Sequence, residues 1–101
     1  MLDVEIVTDK DRQTVILNGC LDGLTAPEFG EKMKDKLDDI TMLILDLKDL
    51  TYISSAGLRE ILTLQQVMEE QGEMVVKNVN DLIMDVFEAS GFDTFLTIEE
   101  S

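Results

Sequence analysis

The sequence contains no histidine and no tryptophan, and it has only one cysteine and one proline. Without histidine, the chain lacks the commonest general base and the commonest transition-metal ligand. Cys20 cannot form a disulfide within the chain, and it lies in an apolar, strand-like run, so we expect a buried, unreactive thiol in a reducing compartment. These absences argue against an enzyme and against a disulfide-stabilised secreted domain, and we expect no metal site and no cofactor.

Basic residues are also scarce, since 8 Lys and Arg stand against 22 Asp and Glu, a formal net charge of −14. Nucleic-acid binding is therefore not expected, because phosphate contacts need Lys and Arg. An acidic surface suits a basic protein partner, or it simply keeps the protein in solution. The N-terminal residues have neither the basic nor the apolar segment of a signal peptide, and no apolar run approaches the length of a membrane span. We expect a cytoplasmic protein that does not insert into a membrane.

The 101 residues, 45% of them apolar, predict a single globular domain over 1–101. Alternating apolar and polar residues predict a first strand over 2–7, and an apolar run predicts a second over 13–21, paired antiparallel with the first. Thr25, followed by Glu28, predicts an N-cap for an amphipathic helix reaching Leu37. The other predicted elements are a buried strand over 42–47, a helix from Ser55 to about Glu70, a strand over 73–77, a third helix capped by Asn78 or Asn80 with Leu82 among its core positions, and a last edge strand between Phe92 and Ile98.

This order, β-β-α-β-α-β-α-β, is typical of an α/β domain. Strands separated by a helix of about three turns form crossover units, so their strands should be parallel. The sequence therefore predicts a mixed, mostly parallel sheet of about four to five strands with helices packed on it.

The stretch from Asp46 to Arg59 combines the features most typical of a functional site. A strand is expected to end near Leu47 and to lead into polar residues at 46–51, which we interpret as a strand-end loop. Ser54 and Ser55 then precede a long helical pattern. Hydroxyls at a helix start satisfy free N–H groups as an N-cap, and the same position accepts a phosphate because of the N–H groups and the helix dipole. Both interpretations remain open from the residues alone.

The segment 46–58, DLKDLTYISSAGL, resembles the signature of STAS domains, the fold of bacterial anti-sigma-factor antagonists. Further matching pieces are GCLD at 19–22, GEMVV at 72–76 and FEASGF at 87–92. The resemblance extends in order and spacing over nearly the whole chain. The family commonly continues into a final helix, which would be short or missing here.

The resemblance implies a partner switch. In this family the unphosphorylated protein binds an anti-sigma factor that is also a serine kinase, which releases the sigma factor. Phosphorylation reverses the binding, and a serine phosphatase restores it. Aligned on Gly57 and Leu58, the phosphoacceptor falls on Ser55, with Ser54 as second choice. The expected partner-binding residues are Asp22, Asp46, Ser54, Ser55, Ala56, Gly57, Leu58 and Arg59, with both aspartates at the same end of the sheet.

The sequence departs from the family motif at two positions. The aspartate that precedes the acceptor in the family is Ser54 here, and the residue after the acceptor is Ala56. The alternative is therefore a STAS module that is not phosphorylated and serves as a subunit of a lipid-transport complex or as a signalling scaffold.

Overall fold

The computed structural model describes residues 1–99, which form three α-helices and a five-stranded sheet. The order of the elements along the chain is the predicted one. The strands are β1 (Leu2–Asp9), β2 (Arg12–Leu21), β3 (Met42–Ile53), β4 (Glu73–Lys77) and β5 (Ile98–Glu99), and the helices are α1 (Thr25–Met33), α2 (Ser55–Gln71) and α3 (Asp81–Ser90).

The strands lie in the sheet in their order along the chain, β1-β2-β3-β4-β5. β1 pairs antiparallel with β2, and every later pairing is parallel. Since each crossover steps the same way across the sheet and such connections are right-handed, all three helices lie on one face. The mixed, mostly parallel sheet of the prediction is confirmed.

A single apolar core fills the space between the helices and that face of the sheet. It includes Phe29 of α1, Ile61 of α2 and Phe87 of α3, none more than 2% exposed. On the opposite face, Ile44 and Val75 pair side by side and are also buried, but they do not belong to this core. The sheet therefore has one face covered by helices and one face without them among the described residues.

β3 is much longer than predicted, because it continues to Ile53 instead of ending near Leu47. The residues interpreted as a strand-end loop are part of the strand and pair with the last residues of β2. The register shifts twice between β2 and β3, next to Asn18 and next to Cys20. Each irregularity interrupts the alternation of side chains, so the second half of the strand does not follow the period of two that sequence patterns detect.

Other boundaries also differ from the prediction. α1 ends at Met33, not at Leu37, and Thr25 is its first helical residue, while Leu24 takes the N-cap position without a side-chain cap. Between Phe92 and Ile98 the chain forms a short 3-10 turn, and the last strand is confined to Ile98–Glu99, although it does lie at the sheet edge. Leu82, expected in the core, is 56% exposed, and Cys20 is half-buried where full burial was expected.

Candidate functional site

Ser54 is the N-cap of α2. Its backbone is extended, its Oγ accepts a hydrogen bond from the Gly57 N–H at 3.3 Å, and its carbonyl accepts from the Leu58 N–H at 2.9 Å. The hydroxyl thus satisfies one of the free N–H groups of the first helical turn. The N-cap interpretation of the two serines is correct for Ser54.

Ser55 is the first residue of α2, and its side chain is exposed. Within residues 1–99, its Oγ takes part in no hydrogen bond, in contrast to the hydroxyl of Ser54. The N-terminus of a seventeen-residue helix presents N–H groups and the positive end of a dipole, both of which favour a negative group. Of the two serines, Ser55 is therefore the one with an exposed hydroxyl that is not used in capping the helix.

The end of β2 fixes the position of both serines. Leu21, the last residue of β2, pairs with Ile53, and its carbonyl accepts from the Ser54 N–H at 2.9 Å. The first turn of α2 lies directly against this carbonyl. The approach is so close that a Cβ on Gly57 would lie 2.6 Å from the carbonyl oxygen. A residue larger than glycine would push the start of α2 away from the strand.

Asp22 follows immediately after Leu21 and organises the loop to α1. Its Oδ1 accepts hydrogen bonds from the N–H groups of Leu24 at 2.9 Å and Thr25 at 3.1 Å. The Thr25 hydroxyl accepts from the Asp22 N–H and donates to the Cys20 carbonyl. The backbone N–H groups of Thr25 and Leu24 hold the pKa of Asp22 below its usual value. Asp22 is therefore a fixed carboxylate at the same sheet end as Ser55, as predicted.

Asp46 does not lie at that end of the sheet, and the prediction that placed it there is wrong. It pairs with Ile16 in the body of the sheet, whereas Ile53 pairs with Leu21 at the end. On its other side it pairs with Lys77, the last residue of β4, and its Oδ1 accepts from the Lys48 N–H at 3.1 Å. Asp46 therefore accepts a hydrogen bond from the backbone of its own strand, at the level of the sheet where β4 ends.

The remaining predicted residues of this segment divide by burial. Gly57 is buried and Leu58 is only 9% exposed, so both pack against the domain. Ala56 is half-buried, and Arg59 is exposed one helical turn after Ser55. The surface around the serines is thus formed by Ser55, Arg59 and Asp22, with the edge of Ala56.

Three exposed apolar residues at this end of the sheet were not singled out by the sequence pattern. Leu24 is 84% exposed, Leu82 is 56% exposed and Tyr52 is 51% exposed. Helical spacing placed Leu82 in the core, and Tyr52 was not distinguished from its polar neighbours. No sequence signal marked Leu24, because Thr25 was predicted as the N-cap, whereas Leu24 takes that position in the structure.

The described residues contain no group of three or more His, Cys, Asp or Glu side chains arranged to hold a metal ion. None of the helices over residues 1–99 combines the length and the apolar composition needed to cross a membrane.

Comparison with known proteins identifies relatives over most of the chain. The model of the STAS domain matches residues 4–101. The "Putative anti-sigma factor antagonist BtrV" of Bordetella bronchiseptica is 33% identical, over 90% of this chain and 84% of the relative. The anti-sigma-B factor antagonist of Bacillus subtilis is 24% identical, over 96% of this chain and 90% of the relative.

Solved structures share the fold at lower identity. An anti-sigma factor antagonist from Mycobacterium paratuberculosis superposes with a TM-score of 0.87 at 16% identity, covering 97% of this chain and 85% of the other. The unphosphorylated form of the anti-sigma factor antagonist SpoIIAA superposes with a TM-score of 0.75 at 18% identity, covering 100% and 89% of the two chains. With nearly the whole chain matched by the family model and a relative above 30% identity, the protein belongs to the STAS domain family.

Proposed function

We propose that this protein is an anti-sigma factor antagonist that acts as a partner switch and has no enzymatic activity of its own. Its unphosphorylated form binds a kinase-type anti-sigma factor and releases the sigma factor. Phosphorylation of Ser55 breaks this complex, and a serine phosphatase restores it. The names of the relatives support the class of function, and the exposed, unbonded hydroxyl of Ser55 at the start of α2 is the observation that carries the proposed switch.

The position of Ser55 gives a physical reason for a switch. A phosphate adds roughly −1.5 to −2 charges, which the N–H groups of the first turn and the dipole of α2 tolerate within the folded chain. Arg59, exposed one turn later, is spaced to pair with it. The phosphorylated protein therefore stays folded, while a partner docked over Ser55 meets a desolvated dianion beside Asp22 and is displaced.

Ser54 offers an explanation for the missing motif aspartate. Serine and aspartate serve about equally well as N-caps, since both accept a hydrogen bond from the first helical turn. Ser54 accepts from the Gly57 N–H, so the replacement keeps the helix start and removes one negative charge beside the acceptor. The shape of the acceptor site is therefore retained, and we propose that the kinase still recognises it.

The proposed partner surface consists of Ser55, Ala56, Arg59 and Asp22. Oδ1 of Asp22 is used within the loop, while Oδ2 accepts no hydrogen bond from residues 1–99 and is available to a basic group of the partner. Gly57 and Leu58 contribute by holding α2 against the end of β2, because both are buried. The register of Asp46 leaves it outside this surface.

The direct test is incubation of the purified protein with the kinase-type anti-sigma factor of its organism and ATP, followed by intact mass measurement. We expect the mass of one phosphate on the wild type and on Ser54→Ala, and none on Ser55→Ala. Ser54→Ala is the matched control, since it removes the neighbouring hydroxyl and leaves Ser55 in place. Phosphate on Ser55→Ala would refute the acceptor assignment.

A binding measurement separates this switch from an unphosphorylated STAS module of a lipid-transport complex or scaffold. We expect Ser55→Asp to bind the anti-sigma factor at least about tenfold more weakly than the wild type, a loss of about 1.4 kcal/mol. If the wild type is not phosphorylated and Ser55→Asp binds its partner as tightly as the wild type, the alternative is correct.

A further inference from the structure

The strand β1 forms one edge of the sheet, and its outer side pairs with no other strand among residues 1–99. In an antiparallel pair, opposite residues alternate between bonding to each other and turning their backbone groups away. Asp9 and Arg12 close a two-residue turn, and the Cys20 N–H donates to the Met1 carbonyl at 2.9 Å, so the odd-numbered residues of β1 bond to β2. The even-numbered residues therefore present their backbone N–H and C=O groups to the free edge. They are Leu2, Val4, Ile6 and Thr8.

This edge is open to another protein but is protected from a second copy of itself. β1 pairs with β2 without a bulge and contains neither lysine nor proline, the features that commonly block edge strands. Its charged residues are Asp3, Glu5 and Asp9. In each antiparallel register that pairs more than half of β1 with β1 of a copy, like faces together, two of these carboxylates lie opposite each other. Because such pairs repel, a different protein is the better occupant.

An open groove runs beside the free edge, between β1 and the end of α1. Its volume is about 370 Å³, and its walls are formed by Val4, Ile6 and Thr8 on one side and by Lys32 and Lys36 on the other. Val4 and Ile6 are half-buried against the core, so each still presents part of its side chain to the groove. A strand added to the edge of β1 would therefore place every second side chain in this groove.

The side chain of Gln13 joins the two walls of the groove. Gln13 is only 1% exposed, and its Nε2 donates to the Lys36 carbonyl at 2.8 Å and to the Thr8 hydroxyl at 3.2 Å. The distance between β1 and the segment after α1 is thus fixed in the free protein. A groove that is formed in advance loses less conformational entropy when it binds a partner.

The two lysines of the groove define the chemistry of the partner. Both side chains are exposed, and the single ion pair in the described part of the chain joins Lys77 to Glu99, so neither Lys32 nor Lys36 has a carboxylate partner there. Two unpaired lysines beside one groove are unusual in a chain with 22 acidic and 8 basic residues. Their charge favours acidic side chains on the groove face of an added strand.

We propose that the free edge of β1 binds an extended acidic segment of another protein as an additional strand of the sheet. The backbone of that segment pairs with the even-numbered residues of β1, and carboxylates on alternate residues face Lys32 and Lys36. Thr8 lies next to the β1–β2 turn, whereas Ser55 lies beyond the other end of β2. This surface is separate from Ser55, and the inference does not depend on phosphorylation.

The probe is a capped synthetic peptide, Thr-Val-Glu-Val-Glu-Val-Glu-Thr, titrated into the full chain labelled with ¹⁵N. The control peptide has lysine in place of each glutamate. We expect saturable binding of the acidic peptide, and binding of the basic peptide that is at least about tenfold weaker. General attraction to a chain of net charge −14 would produce the opposite order, so equal or tighter binding of the basic peptide refutes the proposal.

Amide hydrogen exchange locates the bound peptide. The N–H groups of Val4 and Ile6 point to the free edge, and we expect their exchange to slow by at least about tenfold with saturating acidic peptide. The N–H groups of Glu5 and Val7 already bond to β2 and serve as the internal control, since their exchange should change much less. Binding without added protection of Val4 and Ile6 would contradict strand addition.

The double variant Lys32→Gln, Lys36→Gln tests the charge of the groove. We expect its Kd for the acidic peptide to rise by at least about fivefold. The matched control is Lys34→Gln with Lys48→Gln, because Lys34 faces the cleft between α1 and α2 and Lys48 lies in β3. Equal Kd values for the two double variants would refute the role of the lysines. A dimer in sedimentation, with Val4 and Ile6 protected in the absence of peptide, would show that a second copy occupies the edge and would overturn the proposal.

Discussion

At the scale of single residues, Gly57 explains why the two serines lie where they do. The first turn of α2 packs so closely on the end of β2 that a Cβ at position 57 would lie 2.6 Å from the Leu21 carbonyl and 2.8 Å from Ile53 Cγ1. Both neighbours belong to paired strands and cannot move aside easily. The sequence shows that position 57 is a glycine. The packing shows why, because the backbone of β2 leaves no room for a side chain there.

We therefore expect Gly57→Ala to lower the free energy of unfolding by about 1–3 kcal/mol, because overpacking outweighs the better helix propensity of alanine. Urea unfolding followed by circular dichroism measures the change. Gly23→Ala is the matched control, since its Cβ would meet no atom within 4 Å, and we expect a change within about 0.5 kcal/mol. Equal stability of the two variants would contradict the close approach of α2 to β2.

The difference between the two serines also depends on a detail of one residue. The resemblance to the STAS family placed the acceptor on Ser55 by alignment on Gly57 and Leu58, and the residues alone assigned the capping role to neither serine. The hydrogen bond from the Gly57 N–H to Ser54 Oγ distinguishes them. If α2 began one residue later, Ser55 would be the N-cap instead of Ser54. Patterns of hydrophobicity do not locate a helix start to within one residue.

At the scale of elements, the most informative feature is that β3 extends beyond its neighbour β4. β4 ends at Lys77, opposite Asp46, while β3 continues to Ile53. Beyond this point β3 has no pairing with β4, and the side chain of Asn80 bonds to its backbone instead. Its Nδ2 donates to the Leu50 carbonyl at 2.8 Å, and its Oδ1 accepts from the Ile83 N–H at 3.0 Å as the N-cap of α3.

Asn80→Ala should therefore lower the free energy of unfolding by about 2 kcal/mol, the sum of a lost N-cap and a lost hydrogen bond of about 1 kcal/mol each. Asn80→Ser is the informative comparison, because a serine keeps the capping oxygen but is too short to reach Leu50. We expect it to lose only about half as much, as measured by urea unfolding. If serine and alanine are equally destabilising, the bond to Leu50 accounts for the whole effect and the cap for none of it.

The elements also show how far the sequence predicts this fold. The strand and helix order follows from patterns with periods of two and three to four residues, and it is confirmed. The second half of β3 was assigned to a loop because two register shifts break the alternation of its side chains. That error placed Asp46 near the serines, and it concealed the exposed position of Tyr52. Leu82 was assigned to the core because helical spacing does not distinguish the buried face of the first turn of α3 from its edge.

At the scale of the whole molecule, charge is the dominant property. The net charge of −14 is spread over a compact chain, and Lys77 to Glu99, at 3.3 Å, is the single ion pair between side chains of residues 1–99. Most carboxylates are thus uncompensated, and their mutual repulsion opposes the folded state more than the expanded unfolded state. Salt screens such repulsion, since the Debye length falls from about 10 Å at 0.1 M to about 3 Å at 1 M.

We expect the Tm at neutral pH to rise by about 5 °C between low and molar sodium chloride, which corresponds to roughly 1 kcal/mol for a domain of this size. Differential scanning calorimetry measures it. The control is the same salt series at a pH close to the isoelectric point of about 4.1, where little net charge remains and the Tm should change little. An equal rise at both pH values would indicate preferential exclusion of salt instead of screening.

The simple order of the strands has a consequence for how the chain acquires its structure. Every strand pairs with its neighbour along the chain, so each strand after β1 can pair with a strand that precedes it in the sequence. Each added crossover unit extends a sheet that already exists, so the chain loses its conformational entropy in small steps. Such a sheet can grow strand by strand as the polypeptide leaves the ribosome, starting from the β1–β2 hairpin. The end of the sheet that carries Ser55 becomes complete only when α3 docks against β3, so a partner that binds at this end would select chains that have finished folding.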